Sequence, residues 1–427
     1  MNFIKFLATI TVTTTMAITL FPLSVAGSIT DHVADHVAEI GCEPVVPEPC
    51  RSIFATKSTI EFYGWALTGI TVNNHGGTNE YGNPGPYAYN RSITPQSGNS
   101  YVLMLEQPSD WKLNQLWVGA KKELNNHFGW GFRADFNFGT DSRYPRFWGD
   151  ESFDYNWGSG DYYASFVTLN ATLGTKNLNL KVGKFGGGFS YESLAAPYEF
   201  FYSHANIAYG RPMTVSGAMV ESTWNNQWTV SAAWTAGVFN SFDNSFGDNG
   251  FLGKITRHFN KSSALTYKIF YNNKGGNFRS YDSATDILNT LIFTWKINNR
   301  WFYMIEGAIT NGKVYDKTGT IGNNSSSDSW GINQHLICTI NEKLSAGLRI
   351  EFLHARGTVF DSPSVTGGQG GNLFETTFAI NYKINPKIMF RPELRYDHTN
   401  YKNNYRPFGK ETHNNQLVGS LSFVVIF

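Results

Sequence analysis

Arginine and carboxylate residues recur two apart along several stretches of this chain. Arg133 and Asp135 do so, as do Arg349 and Glu351, and Arg391, Glu393 and Arg395 form a run that ends at Asp397. That spacing puts side chains on one face of a β-strand. There, opposite charges can pair and brace the strand, or they can set up a field that orders polar solutes. A nucleophile with a base could be drawn from Ser190, Glu192 and His204, but no Gly-x-Ser-x-Gly frames the serine. Asp397 and His398 are adjacent and would point to opposite faces of a strand, which weakens a protease-like pair. His32 and His36 lie four apart in a tandem Asp-His-Val-Ala repeat, a metal-like spacing on a helix. A short exposed polar helix explains them as well. His335 and His354 stand alone. No catalytic centre, metal or cofactor is expected.

The residues between these charges are apolar. Leu344, Ala346, Leu348, Ile350 and Phe352 alternate with Ser345, Gly347, Arg349 and Glu351. Phe128, Trp130, Phe132, Ala134, Phe136 and Phe138 alternate with Arg133, Asp135 and Asn137, and Ile388, Phe390, Leu394 and Tyr396 with the run 391–397. Period-2 alternation is the pattern of a strand with two unlike faces. Such stretches come in pairs joined by short turns: 111–124 with 128–138, 162–173 with 177–185, 213–224 with 227–238, and 250–259 with 263–272. The series continues with 286–297 and 301–311, 329–340 and 344–355, and 373–384 and 387–398. Single strands at 58–73 and 416–427 flank the set. Asn125, Asn225, Asn298 and Asn385 stand in the turns, as tight hairpins require. Longer segments separate the pairs, at about 74–110, 139–161, 186–212, 239–249, 273–285, 312–328, 356–372 and 399–415.

This regular short–long alternation predicts an all-β fold, a transmembrane antiparallel β-barrel of about 16 strands. Short turns face the periplasm, together with both termini, and long loops face outward. Arg or Lys facing lipid at mid-bilayer would cost about 2–4 kcal/mol each, so the strand charges face the lumen. The inward set is Arg133, Asp135, Lys181, Lys268, Glu306, Arg349, Glu351, Arg391, Glu393 and Arg395.

Composition agrees. The 427 residues include 33 Phe, 22 Tyr and 12 Trp, with few charges. A helical membrane protein would show longer apolar runs. Residues 1–26 read as a signal peptide, with Lys5, an apolar stretch and a small-residue cleavage site at Ser24-Val25-Ala26. Without Lys5, the 34 basic residues become 33, equal to the 33 acidic ones. No basic footprint for nucleic acid is left. Residues 27–57 form a short periplasmic leader whose Cys42 and Cys50 could pair in an oxidising compartment. Cys338 lies within a strand pattern. The barrel proper spans 58–427.

A barrel of this width should hold an aqueous channel. The segment 186–212 opens on Gly186-Gly187-Gly188 and then carries Phe189, Tyr191, Leu194, Tyr198, Phe200, Phe201 and Tyr202, which an exposed loop would not favour. It is expected either to fold inward as a constriction or to pack as a lid on the rim. In the first case Tyr191, Glu192, Tyr198 and Glu199 form its edge. Glu192 and Glu199 then face basic wall residues among Arg133, Lys181, Arg349, Arg391 and Arg395. Phe423, Val425 and Phe427 share one face of the last strand and resemble the signal read by the barrel-assembly machinery.

The run VGKF at 182–185, the following YES, and EFFYSHANIAYGRPMTVSGAMV through 220 resemble the putative β-barrel porin-2 (OmpL-like) family. LNQLWVGAKKELN and GWGFRADFNFGTDSRY are similar to it too, and the likeness covers roughly 58–427. The resemblance implies a bacterial outer-membrane porin, passing small polar solutes and ions, with no catalytic residues to carry over. Its expected partners are outer-membrane lipid and lipopolysaccharide, the assembly machinery, and a homotrimer as one open arrangement. The rival reading is a non-conducting barrel serving as an adhesin or structural protein.

Overall fold

The computed structural model describes residues 60–76, 98–102, 104–143, 155–157, 162–208, 213–237, 249–273, 283–315, 325–356, 370–401 and 405–427. The expected signal peptide and leader, with His32, His36, Cys42 and Cys50, lie outside the described residues.

The strands in chain order are β1 (Glu61–Asn73), β2 (Lys112–Lys122), β3 (Gly129–Gly139), β4 (Tyr155–Trp157), β5 (Tyr162–Thr175) and β6 (Leu178–Gly186). They continue with β7 (Thr214–Trp224), β8 (Trp228–Thr235), β9 (Asn249–Asn260), β10 (Ser263–Asn273), β11 (Ser283–Lys296) and β12 (Trp301–Tyr315). The last are β13 (Ser325–Thr339), β14 (Leu344–Arg356), β15 (Gly371–Asn385), β16 (Ile388–Tyr401) and β17 (Asn415–Ile426). Each long strand pairs antiparallel with the next, β3 joining β5 directly, while the three-residue β4 pairs with β5. β17 returns to β1, with Phe423 opposite Thr68 and Ser420 opposite Thr71. The result is a closed barrel of 16 long strands. Closure satisfies every ladder without a free edge, which a chain crossing lipid by strands requires.

The tight turns repeat one device. The side-chain oxygens of Asn125, Asn260, Asn298, Asn341 and Asn385 each accept the backbone N–H two residues on. An Asx turn of this kind reverses the chain with its own side chain as the missing acceptor. At Asn225-Asn226 the solution is different. Both residues have positive φ, 52° and 51°, and Gln227 N–H donates to Trp224 O. That is the mirror-image hairpin turn whose twist matches the flanking strands.

The alternation sorts the faces as the sequence indicates. Val118, Val182, Phe378, Leu394, Leu417 and Leu421 are exposed on the outer wall, whereas Arg349, Glu351, Arg391, Glu393 and Arg395 are buried inside. Trp130, Trp224, Trp228, Trp295 and Trp301 stand exposed beside the tight turns. An aromatic girdle at one interface has this placement.

The interior departs from a simple open tube. The described part of the segment between β6 and β7 lies against the inner wall, as do residues 98–102 and 104–107 from the connection expected to be a plain outward loop. Asn99, Ser100 and Val102 are fully buried, and Gln416 donates to the carbonyl of Ser100. Asn99 Nδ2 donates to Thr71 Oγ1 at 2.8 Å. Thr140–Arg143 form a short 3₁₀ turn whose Asp141 accepts from Gln115 at 2.9 Å. A barrel too wide for its own wall side chains is thus filled in part by its own connecting segments. Apolar clusters supply the hydrophobic gain; one joins Trp65 and Trp117 of the wall to Val102, Leu105, Leu194 and Tyr202, and another joins Phe189 to Phe270.

Candidate functional site

Among its described residues, 187–208 and 213, the segment between β6 and β7 carries no regular structure beyond 3₁₀ turns at Ala196–Tyr198 and Asn206–Ala208. Its backbone N–H and C=O groups therefore need partners from elsewhere. The wall charges supply them. Glu393 on β16 accepts the N–H of Tyr202 at 2.7 Å and of Ser203 at 3.1 Å. Glu351 on β14 accepts the N–H of Asn206 at 2.7 Å and that of Ile207. Glu306 on β12 accepts the N–H of Tyr191 and the hydroxyl of Ser190, at 3.2 and 3.0 Å.

The arginines take the carbonyls. Arg391 donates to Glu199 O at 2.9 Å and Ala196 O at 3.2 Å. Arg395 donates to His204 O at 2.7 Å and to Tyr101 O at 2.9 Å, so one guanidinium joins both inward segments to β16. Arg349 donates to Ser203 O at 2.5 Å. Beyond the β17–β1 closure, Gln115 on β2 donates to Leu194 O, and Tyr202 OH donates to Asn114 Oδ1, both at 2.8 Å.

Small residues in the wall admit the aromatic rings of the segment. A Cβ on Gly347 would fall 2.3 Å from the ring of Phe200, and one on Gly69 would fall 2.6 Å from Tyr202 OH. Phe189 packs on Phe270 of β10 with ring centroids 4.9 Å apart.

Glu192 is the only carboxylate of the segment to form ion pairs with the wall among the described residues. Its Oε1 lies 2.9 Å from Arg349 Nη1 and 3.3 Å from His335 Nε2, and its Oε2 lies 3.3 Å from His204 Nδ1. Burial pushes this carboxyl up, but Arg349 and the two imidazoles outweigh it and hold it well below the usual carboxylate range. Glu199 sits close by without such help. Burial and the charge of Glu192 hold its carboxyl well above the usual range. Its side chain accepts the N–H of Ser193 rather than a wall arginine, which reaches only its backbone carbonyl.

Several sequence readings change here. His335 does not stand alone, because its inward position on β13 puts it against Glu192. Ser190 donates to Glu306 and has no contact with His204 among the described residues, so the drawn nucleophile–base set is not assembled. Arg133 lines the same cavity as Glu192, while its Nε lies 2.6 Å from Asp135 on its own strand. Arg395 likewise pairs with Asp397 at 2.8 Å. Lys181 is half-buried on the inner face, opposite Met219 of β7. The bracing alternative thus describes two of the Arg–carboxylate repeats. Tyr191 packs edge-on to His335, and Tyr198 edge-on to Trp65.

Glu375 and Asn114 were not singled out from the sequence. Glu375 accepts from Arg349 Nε at 2.9 Å. It alternates with Phe374, Thr376 and Phe378, the same signal that marked Arg349. Phe427, last on the β17 face, exchanges both backbone hydrogen bonds with Gly64 of β1, and Phe423 and Val425 precede it in the same ladder.

Solved structures share this architecture. The outer membrane channel DcaP of Acinetobacter baumannii matches with a TM-score of 0.56 at 10% identity, covering 86% of this chain and 97% of that one. OmpT of Vibrio cholerae, in trimer form, matches at 0.54 and 11% identity, covering 86% and 99%. An anion-selective porin from Comamonas acidovorans matches at 0.54 and 9% identity, again covering 86% and 99%. No curated protein sequence matches the chain. The family described as putative beta-barrel porin-2, OmpL-like, matches residues 60–427, which is the whole barrel. The chain therefore belongs to that porin family and is a barrel of the bacterial outer membrane.

Proposed function

We propose that the barrel passes small hydrophilic solutes and ions by passive diffusion, and that the segment 187–213 sets its narrowest point. The observation that carries this reading is the fixing of that segment to the inner wall by Arg349, Arg391, Arg395, Glu351 and Glu393. A segment held by charged hydrogen bonds on several strands keeps a defined position under solute flow. Fixed charges in a narrow, low-dielectric passage act more strongly than in bulk water. Glu192 and Glu199 form its acidic edge, and replacing both with Gln shifts the reversal potential toward anions. The tight turns face the periplasm, behind a cleaved signal peptide at 1–26 and a leader at 27–57. The outer wall suits a homotrimer, the form recorded for the Vibrio cholerae neighbour.

A second reading is a non-conducting barrel. The full burial of Arg349, Arg391 and Arg395 favours it, since these guanidinia meet loop atoms rather than open water. Purified protein in planar bilayers separates the two. Stable ion-conducting steps support the porin; a silent membrane containing heat-modifiable, folded protein supports the rival.

A further inference from the structure

Three donor groups of the inner segment converge beside the Arg349 latch. One ligand atom from each of Glu192, Glu199 and His204 lies within 4.8 Å of the others. All three side chains are buried, with Glu199 8% and His204 6% exposed. Their hydrogen bonding is incomplete. Glu199 uses one oxygen, for the N–H of Ser193, and His204 uses Nδ1, toward Glu192. The second oxygen of Glu199 and Nε2 of His204 have no partner among the described residues. Both residues line cavity space, where a polar ligand can reach them. His204 stands between two cavities. One, of about 100 Å³, is also lined by Glu192; the other, of about 10 Å³, is also lined by Glu199.

The surrounding charge points the same way. Glu192, Glu199, Glu351, Glu375, Glu393 and Asp397 are gathered on and around the segment, against the guanidinia of Arg349, Arg391 and Arg395. Carboxyls outnumber the cations they face. A site rich in buried carboxyls with an imidazole draws a cation.

We propose that Glu192, Glu199 and His204 form a binding site for a divalent transition-metal cation of the zinc class. Two carboxylates and one imidazole are a donor set for Zn²⁺, with a fourth position open to water. Arg349 and His335 hold the other oxygen of Glu192, as outer groups that orient a ligand do. The ion would clasp residues 192–204 into one unit, because all three ligands come from that stretch.

Zinc titration of the folded full-length barrel in detergent, followed calorimetrically, tests this. Wild type binds one zinc ion more per chain than His204→Ala, and Glu199→Gln weakens that site roughly tenfold or more. Two other imidazole pairs serve as controls: His75 and His413, whose rings stack 4.2 Å apart, and His32 with His36. Replacing either pair with Ala leaves the buried site intact. Cobalt(II) substitution gives a visible absorption band that His204→Ala abolishes. Equal zinc stoichiometry and affinity in wild type and a folded His204→Ala protein would overturn the proposal. So would a site lost only with the control pairs.

Discussion

Arg349 on β14 and Glu192 of the inner segment stand 157 residues apart in sequence and 2.9 Å apart in the barrel. Arg349 also holds Glu375, so its removal leaves two buried carboxylates without their counter-charge. Breaking a buried pair from one side costs about 3–5 kcal/mol. Arg349→Met is therefore expected to free the segment while the closed strand ladders persist. Limited proteolysis of heat-modifiable protein reads this as new cleavage between residues 187 and 213. Protection equal to wild type would show that the remaining latches suffice.

Gly347 faces Phe200 across a gap that only a glycine leaves open. Gly347→Leu should push the ring, and with it the 199–203 stretch, off β14. The substitution places an apolar side chain on the inner face and leaves the outer wall unchanged. The expected outcome is a folded barrel with larger single-channel conductance. An unchanged conductance would mean that Phe200 moves without moving the constriction.

Much of this was legible in the sequence, for a physical reason. Lipid on one side of the wall and charge on the other force strict alternation, so β14, β16 and β17 could be read with their faces assigned. The Asn-rich turns were equally plain, because each Asn supplies the acceptor that closes its own reversal. The inner segment could be noticed, since Phe200, Phe201 and Tyr202 do not suit an exposed loop. Its latches could not be foreseen. Glu393 reaches the N–H of Tyr202, and Arg395 reaches Tyr101 O, through folding of irregular backbone that has no periodicity to read. Asn99 and Ser100 were missed for the same reason: they look like surface residues until they are seen bonding inward.

Phe427 closes the ladder between β17 and β1 through paired bonds with Gly64, and its ring covers that glycine. Phe427→Asp puts a charge where β17 presents an apolar face. Outer-membrane assembly should fall, measured as loss of heat-modifiable protein in that fraction. Wild-type amounts of folded protein would remove Phe427 from the assembly signal.

The orientation of the barrel follows from its short and long connections. Cysteines at positions 80, 320 and 405 are expected to react with an impermeant thiol reagent on intact cells, and those at 126 and 299 are not. The reverse pattern would turn the barrel over and place the Asx turns outside.

The most direct measurement is the single-channel conductance of a barrel lacking Tyr191–Tyr202, compared with wild type in the same bilayer and salt. This deletion removes Glu192, Glu199 and the rings that pack on β12, β13 and β14, while the strand ladders keep all their residues. Heat-modifiability establishes that the shortened chain still folds. If the segment is the constriction, conductance rises, and a larger sugar passes in liposome swelling. Conductance equal to wild type, in folded protein, would contradict the account and place the narrow point elsewhere.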